Sequence, residues 1–193
     1  VQLDRMINNW RSLWKQDIPF YFVQLPNFKK AQTQAIESGN TWPAIRDSFF
    51  YVNANTANTG MATTIDIGEA NNIHPKNKQD VGRRMASTIL NQTYGLKTPT
   101  SPIYKSHKID GDKILVSFDF SGSGLLAKDA ELKTFAIAGA DKNFYRATAK
   151  IVLKNGKEVV IVSSDKVKEP VAVRYAWAMN PSERNLLYNK EGL

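Results

Sequence analysis

The sequence predicts an α/β protein in two units, and three observations carry that reading. Up to about residue 94, segments with helical apolar spacing alternate with short apolar runs of strand type. A proline-marked break, LKTPTSP, follows at residues 96–102. Beyond it, alternating apolar residues and hairpin turns replace the helical spacing. The boundary therefore falls between an α/β unit, residues 1–96, and an all-β unit, residues 97–193.

In chain order, Leu3, Met6, Ile7, Trp10, Leu13 and Trp14 recur at helical spacing and predict a helix whose apolar stripe lies on a sheet, ended by Pro19. Phe20-Tyr21-Phe22-Val23 is a continuous apolar run, the pattern of a parallel strand covered on both faces. Residues 42–52 predict a second helix, with Thr41 as N-cap and Pro43 in the first turn, where its missing N–H costs nothing. Residues 61–67, rich in Thr and Ile, predict a second strand. Val81, Met85, Ile89 and Leu90 share one helical face, so residues 75–94 predict a third helix entered at Pro75 and left at Gly95. In the second unit Ile114, Val116, Phe118 and Phe120 alternate, as do Val171, Val173, Tyr175 and Trp177. Asp110-Gly111 and Asn155-Gly156 mark hairpin turns.

Composition narrows the function classes. The 42% hydrophobic and 23% charged residues are those of a globular chain. No apolar run approaches the roughly 18 residues of a membrane span. The net charge of +8 is spread over both halves with no Arg-rich stripe or interleaved aromatics, which argues against a nucleic-acid partner. Zero cysteines excludes disulfides, thiolate metal sites and a Cys nucleophile, without deciding the compartment. Neither a metal nor another cofactor is expected.

The chemistry-bearing stretch is MATTIDIGEANNIHPKNKQDVGRR, residues 61–84. A histidine in the loop after a strand and at the mouth of a helix stands where an open α/β sheet presents a general base. The positive helix N-terminus would help to keep such a ring neutral. His74 occupies that place; the alternative reading of a lone His before Pro is a loop or capping residue.

This stretch, with WRSLWKQDIPFYFVQLPNF before it and NPSERNLLYNKEGL at the other end, resembles the sialate O-acetylesterase family of SGNH hydrolases over the whole chain. The resemblance implies the C-terminal part of an SGNH-type parallel-sheet hydrolase domain followed by a β-sandwich or jelly-roll-like unit. It also implies hydrolysis of acetyl esters on sugars, O-acetylated sialic acid above all, with His74 as catalytic base, in an extracellular or periplasmic setting. The family's acid usually stands two or three residues before the histidine, where this chain has Asn71 and Asn72. An amide cannot stabilise imidazolium as a carboxylate does. Either Glu69 or Asp66 takes the role from another position, or a backbone carbonyl orients the ring. The family's serine segment has no counterpart in these residues, so the serine is expected from an upstream segment and the chain alone is expected to be inactive. Ser121-Gly122-Ser123-Gly124 lacks the strand-to-helix context of a nucleophile elbow and reads as a loop.

Three further residues are candidates for substrate binding. Gln24 and Asn27 follow the first strand at its carboxyl edge, with turn and capping roles as the alternative. Arg46, in WPAIRDSF, resembles the family's W-x-x-x-R-x-x-Q with Phe49 in place of Gln, and its guanidinium could clamp a sugar carboxylate. His107 has no motif around it and reads as structural; the Asn91-Gln92-Thr93 sequon falls inside a helix. A competing function is a non-catalytic carbohydrate-binding β-sandwich, which would present Tyr145, Tyr175 and Trp177 together to solvent.

Overall fold

The computed structural model describes residues 2–39, 41–129, 131–181 and 185–193, and the fold is mixed α/β with several small sheets. Ser182, Glu183 and Arg184 of the NPSERNLLYNKEGL segment lie outside the described residues. The first part runs α1 (Gln2–Trp14), β1 (Phe20–Val23), α2 (Thr41–Asn55), β2 (Thr59–Ala62) and α3 (Lys78–Gln92). Strands β1 and β2 pair in parallel, from Phe20 opposite Thr59 to Val23 opposite Ala62. α2 packs on one face, where Phe22 meets Phe49 at 5.8 Å, and α3 on the other, where the Tyr21 and Thr93 hydroxyls share a 2.6 Å hydrogen bond.

The expected parallel pairing of the two strands is present, in a two-stranded sheet among the described residues. Two expectations for this part need correction. The second strand spans Thr59–Ala62 and not residues 61–67: the Thr64 hydroxyl donates to the Gln24 carbonyl and Ile67 N–H to the Thr64 carbonyl, which turns the chain out of the sheet. The stripe on α1 is helical as expected, yet only Ile7 is buried; Met6, Trp10, Leu13 and Trp14 are 39–69% exposed.

The described residues after Pro102 hold nine strands: β3 (Ile103–Asp110), β4 (Lys113–Asp119), β5 (Leu125–Ala127), β6 (Phe135–Ala138), β7 (Tyr145–Arg146), β8 (Thr148–Lys154), β9 (Lys157–Ser163), β10 (Ala172–Tyr175) and β11 (Leu187–Asn189). They form antiparallel sheets in the orders β3-β4-β9-β8, β10-β6-β7 and β11-β5. At Asn155-Gly156 both residues have positive φ, 52° and 74°, the geometry of a two-residue turn whose twist matches its strands. Between β3 and β4 the two turn residues are Gly111 and Asp112, with Gly111 at φ 62°. Ile114 and Val116 of β4, Phe135 and Ile137 of β6, and Val160 and Val162 of β9 form one buried cluster, as period-two alternation requires. The alternation runs too far at three ends, since Phe120, Val171 and Trp177 lie just outside their strands.

The two parts are laced together through the loop after β1. Arg46 is buried, and its guanidinium donates to four carbonyls: Leu25 (3.0 Å), Pro26 (2.8 Å), Ala178 (2.6 Å) and Met179 (2.8 Å). Burial lowers its pKa to about 10 against the opposing charge of Glu37, so it stays cationic at neutral pH. Backbone bonds from Phe28 N–H to Met179 O and from Gln32 N–H to Asn180 O continue the seam.

Candidate functional site

The loop from Thr63 to Asn77 is built by side chains bonding to backbone. Glu69 bridges to Asn72 and its Oε1 accepts the Lys76 N–H at 2.7 Å, closing the loop across seven residues. The Asn72 Oδ1 accepts the His74 backbone N–H at 2.9 Å, an Asx turn that fixes the chain just before the histidine. Asn72 thus has a positioning role on the backbone.

His74 is exposed, and among the described residues its imidazole makes no hydrogen bond or ion pair. Its place differs from the expected helix entrance. Asn77 is the N-cap of α3, its Oδ1 accepting Asp80 N–H at 3.1 Å, so the helix begins at Lys78 and Pro75 lies in the loop. The helix field fades within its first turn. His74 stands three residues outside the cap. The Asn77 amide, then Arg83, hold the Asp80 carboxyl below the usual range.

The two candidate acids are already engaged. Asp66 takes both Arg84 terminal nitrogens, Nη1 at 2.6 Å and Nη2 at 2.7 Å, and both side chains are about nine-tenths buried. Arg84 Nη1 also donates to the Thr63 carbonyl at 2.9 Å. Burial, then the charge of Asp66, push the nearby Tyr188 phenol well above its ordinary value. Glu69 has given one oxygen to Lys76. Sequence reasoning missed Arg84 as the partner of Asp66; the available signal was an acid at a strand exit and two arginines at one helix start within one segment.

The three candidate binding residues are brought to the carboxyl edge of β1, all of them buried. Asn27 joins two segments: its Oδ1 accepts Gly68 N–H at 2.6 Å and its Nδ2 donates to Asn180 Oδ1 at 3.1 Å. Gln24 is 2% exposed, and its Nε2 has no hydrogen-bond partner among the described residues. It borders a cavity of about 120 Å³ lined also by Phe50, Thr63, Asp66, Tyr175 and Tyr188. Arg46 has turned its donors to the protein's own carbonyls. No group of three or more His, Asp or Glu among the described residues is arranged to hold a metal ion.

Gly68 makes the loop's docking on Asn27 possible. A Cβ there would lie 2.0 Å from the Asn27 carbonyl oxygen and 2.9 Å from its backbone nitrogen. Backbone cannot yield as a flexible side chain can, so Gly68→Ala is expected to cost about 2–3 kcal/mol, the range of overpacked sites. Urea unfolding measures this; an unchanged midpoint would show that the loop swings away without loss.

The rings of the proposed sugar platform do not share a solvent-facing plane. Tyr145 packs on the core cluster, Tyr175 lies 4.7 Å from Phe135 with its hydroxyl accepting Leu187 N–H, and Arg174 covers Trp177 at 4.1 Å.

No family model matches the chain, and no curated protein matches it. Among solved structures it is similar to the crystal structure of a carbohydrate acetylesterase from Xanthomonas citri, with 38% identity and a TM-score of 0.85 over 100% of this chain. The chain spans 43% of that structure's length.

Proposed function

We propose that this chain is part of a carbohydrate O-acetylesterase, with His74 as general base for a serine supplied by a polypeptide outside these 193 residues. The observation that carries the reading is the likeness, across the whole chain, to a carbohydrate acetylesterase. The exposed imidazole, bonded to no described residue, supports it, because such a ring is open to an incoming hydroxyl. In this reaction the serine oxygen attacks the acetyl carbonyl while His74 takes its proton. The histidine returns the proton to the leaving sugar oxygen, and water then clears the acetyl-enzyme. The resemblance of residues 61–84 favours O-acetylated sialic acid as substrate, met outside the cytoplasm.

Of the two acids, Glu69 fits the orienting role better than Asp66, whose oxygens are both held by Arg84. Gln24 borders the cavity, Asn27 ties the loop after β1 to Gly68 and Asn180, and Arg46 supports that loop. Glu69→Gln is then expected to lower kcat on the order of a hundredfold or more with little change in unfolding midpoint. Asp66→Asn should do the reverse.

The test of the reading is reconstitution. On this reading the nucleophile and the oxyanion donors lie outside the 193 residues, so the chain alone should not hydrolyse an O-acetylated sialic acid. Co-expression with the unmatched remainder of the Xanthomonas citri enzyme should give hydrolysis. Turnover by the isolated chain would show a nucleophile within it, and no turnover by the reconstituted pair would remove the esterase reading.

A further inference from the structure

Arg174 lies on the outward face of the sheet β10-β6-β7. Its neighbours Val173 and Tyr175 pack on the buried cluster, as do Phe135, Ile137 and Tyr145 of the partner strands. Side chains alternate along a strand, so Arg174, Ala136 and Arg146, which stand opposite one another in register, point the other way. Ala136 separates the two arginines, whose backbones are about 10 Å apart across β6. The Arg174 guanidinium rests against two aromatic faces, 4.5 Å from the centre of the Phe144 ring and 4.1 Å from that of Trp177. A turn after β10 sets Trp177 there: Ala176 has φ 50°, its N–H donates to the Thr134 carbonyl at 2.8 Å, and Ala178 N–H donates to the Ala176 carbonyl at 2.9 Å. Non-glycine residues seldom adopt this φ. The Trp177 carbonyl in turn accepts Glu37 N–H at 3.0 Å.

So placed, the cation has no acceptor. Arg11, Arg46, Arg83 and Arg84 give N–H groups to carbonyls or carboxylates of the chain. Arg174 makes no hydrogen bond or ion pair with any described residue, and none of its nitrogens is sealed from solvent without one. Asp141, on the loop that carries Phe144, has its carboxylate on the Asn143 N–H and Nδ2, at 3.1 and 2.8 Å. A guanidinium stacked on rings keeps its edge free, and that edge is a planar fork matched to the two oxygens of a carboxylate. The rings restrict the side chain before a ligand arrives, so less freedom is lost on binding. Arg146 adds a second positive charge on the same face, with its Nη1 donating to the Lys133 carbonyl at 3.1 Å.

We propose that Arg174, set against Phe144 and Trp177, binds the carboxylate of an acidic sugar, with Arg146 as a second cation on the same sheet face. The carboxylate rests on the unpaired, stacked guanidinium; that it belongs to a sugar rests on the esterase reading. The clamp expected of Arg46 is thus supplied by an arginine of the β-rich part, since Arg46 has spent its donors on the protein's own carbonyls. One face of each ring is taken by the guanidinium, so recognition here is by charge and paired hydrogen bonds and not by a sugar ring lying between Phe144 and Trp177.

The test titrates the isotope-labelled 193-residue chain with N-acetylneuraminic acid, glucuronic acid, the methyl ester of each, and acetate, and follows the Arg174 side-chain N–H signal. At least one of the two acids should move that signal to saturation. Its methyl ester has lost the negative charge and should bind about ten-fold more weakly, or worse. Arg174→Lys keeps the charge but loses the planar fork, and should weaken binding about ten-fold, read by isothermal calorimetry. The ester comparison is made on the unaltered chain and stands whatever the substitution does to folding. Whichever acid binds more tightly supports the site and names the sugar. Esters that bind as well as their acids overturn the proposal, as do acetate binding as tightly as either acid, a folded Arg174→Lys with full affinity, and the absence of any shift. Binding by a chain that gives no ester hydrolysis on reconstitution keeps the site and removes the esterase reading; hydrolysis of an O-acetylated sialic acid with no shift at Arg174 does the opposite.

Discussion

Replacing His74 by Ala in the reconstituted enzyme should lower kcat on the order of thousands-fold or more, because a general base and its nucleophile act as one unit. The same substitution should leave stability within about 0.5 kcal/mol, as for other exposed positions without buried partners. The structure gives the reason for the second half: the imidazole is exposed and bonded to no described residue, while the backbone turn at His74 is held by Asn72 through the main-chain N–H. Steady-state kinetics and urea unfolding on the same samples check both halves. Full activity after His74→Ala would discard the base assignment, and a large fall in stability would make the histidine a structural residue.

Arg84→Met should destabilise the fold by about 3–5 kcal/mol, the cost of leaving a buried carboxylate without its cation. Asp66 is the carboxylate, bonded at 2.6 and 2.7 Å and enclosed with Arg84 beneath the loop. The substitution also takes the 2.9 Å bond away from the Thr63 carbonyl at the strand exit. The double variant Asp66→Asn/Arg84→Met should recover a large part of the loss, since an amide is far cheaper to bury than a lone charge. Chemical denaturation of the three variants measures the coupling. Equal destabilisation by the single and double variants would show that the ion pair carries none of it.

The parts of the molecule legible in the sequence are those fixed by neighbours in the chain. Asn155-Gly156 forecasts a hairpin because both residues tolerate the positive φ that the turn demands. Phe20 to Val23 forecast a strand because nothing polar interrupts the run, although its covering is partial, with Val23 exposed. Pro75 suits a first turn, yet α3 begins only at Lys78. The actual cap is set by the Asn77 side chain reaching Asp80 N–H, and other residues nearby could have capped as well. The partners of Asp66 and Arg46 are chosen in three dimensions. A carboxylate and a guanidinium that read as candidate catalytic and clamp groups are held respectively by Arg84 and by carbonyls from distant segments. Periodicity found the helix α1; it does not say which surface the stripe faces, and four of its apolar side chains remain exposed.

The four carbonyls around Arg46 also set a timetable for synthesis. Leu25 and Pro26 leave the ribosome before the arginine, while Ala178 and Met179 follow it by 132 and 133 residues. At translation rates of roughly 5–20 residues per second, the cation waits on the order of ten seconds with half of its acceptors. Through that interval the nascent α/β segment cannot bury Arg46 with all of its acceptors, so the loop after β1 stays open to solvent. A ribosome paused between these positions should therefore display a protease-sensitive segment after residue 23, and resumed elongation through residue 179 should close it.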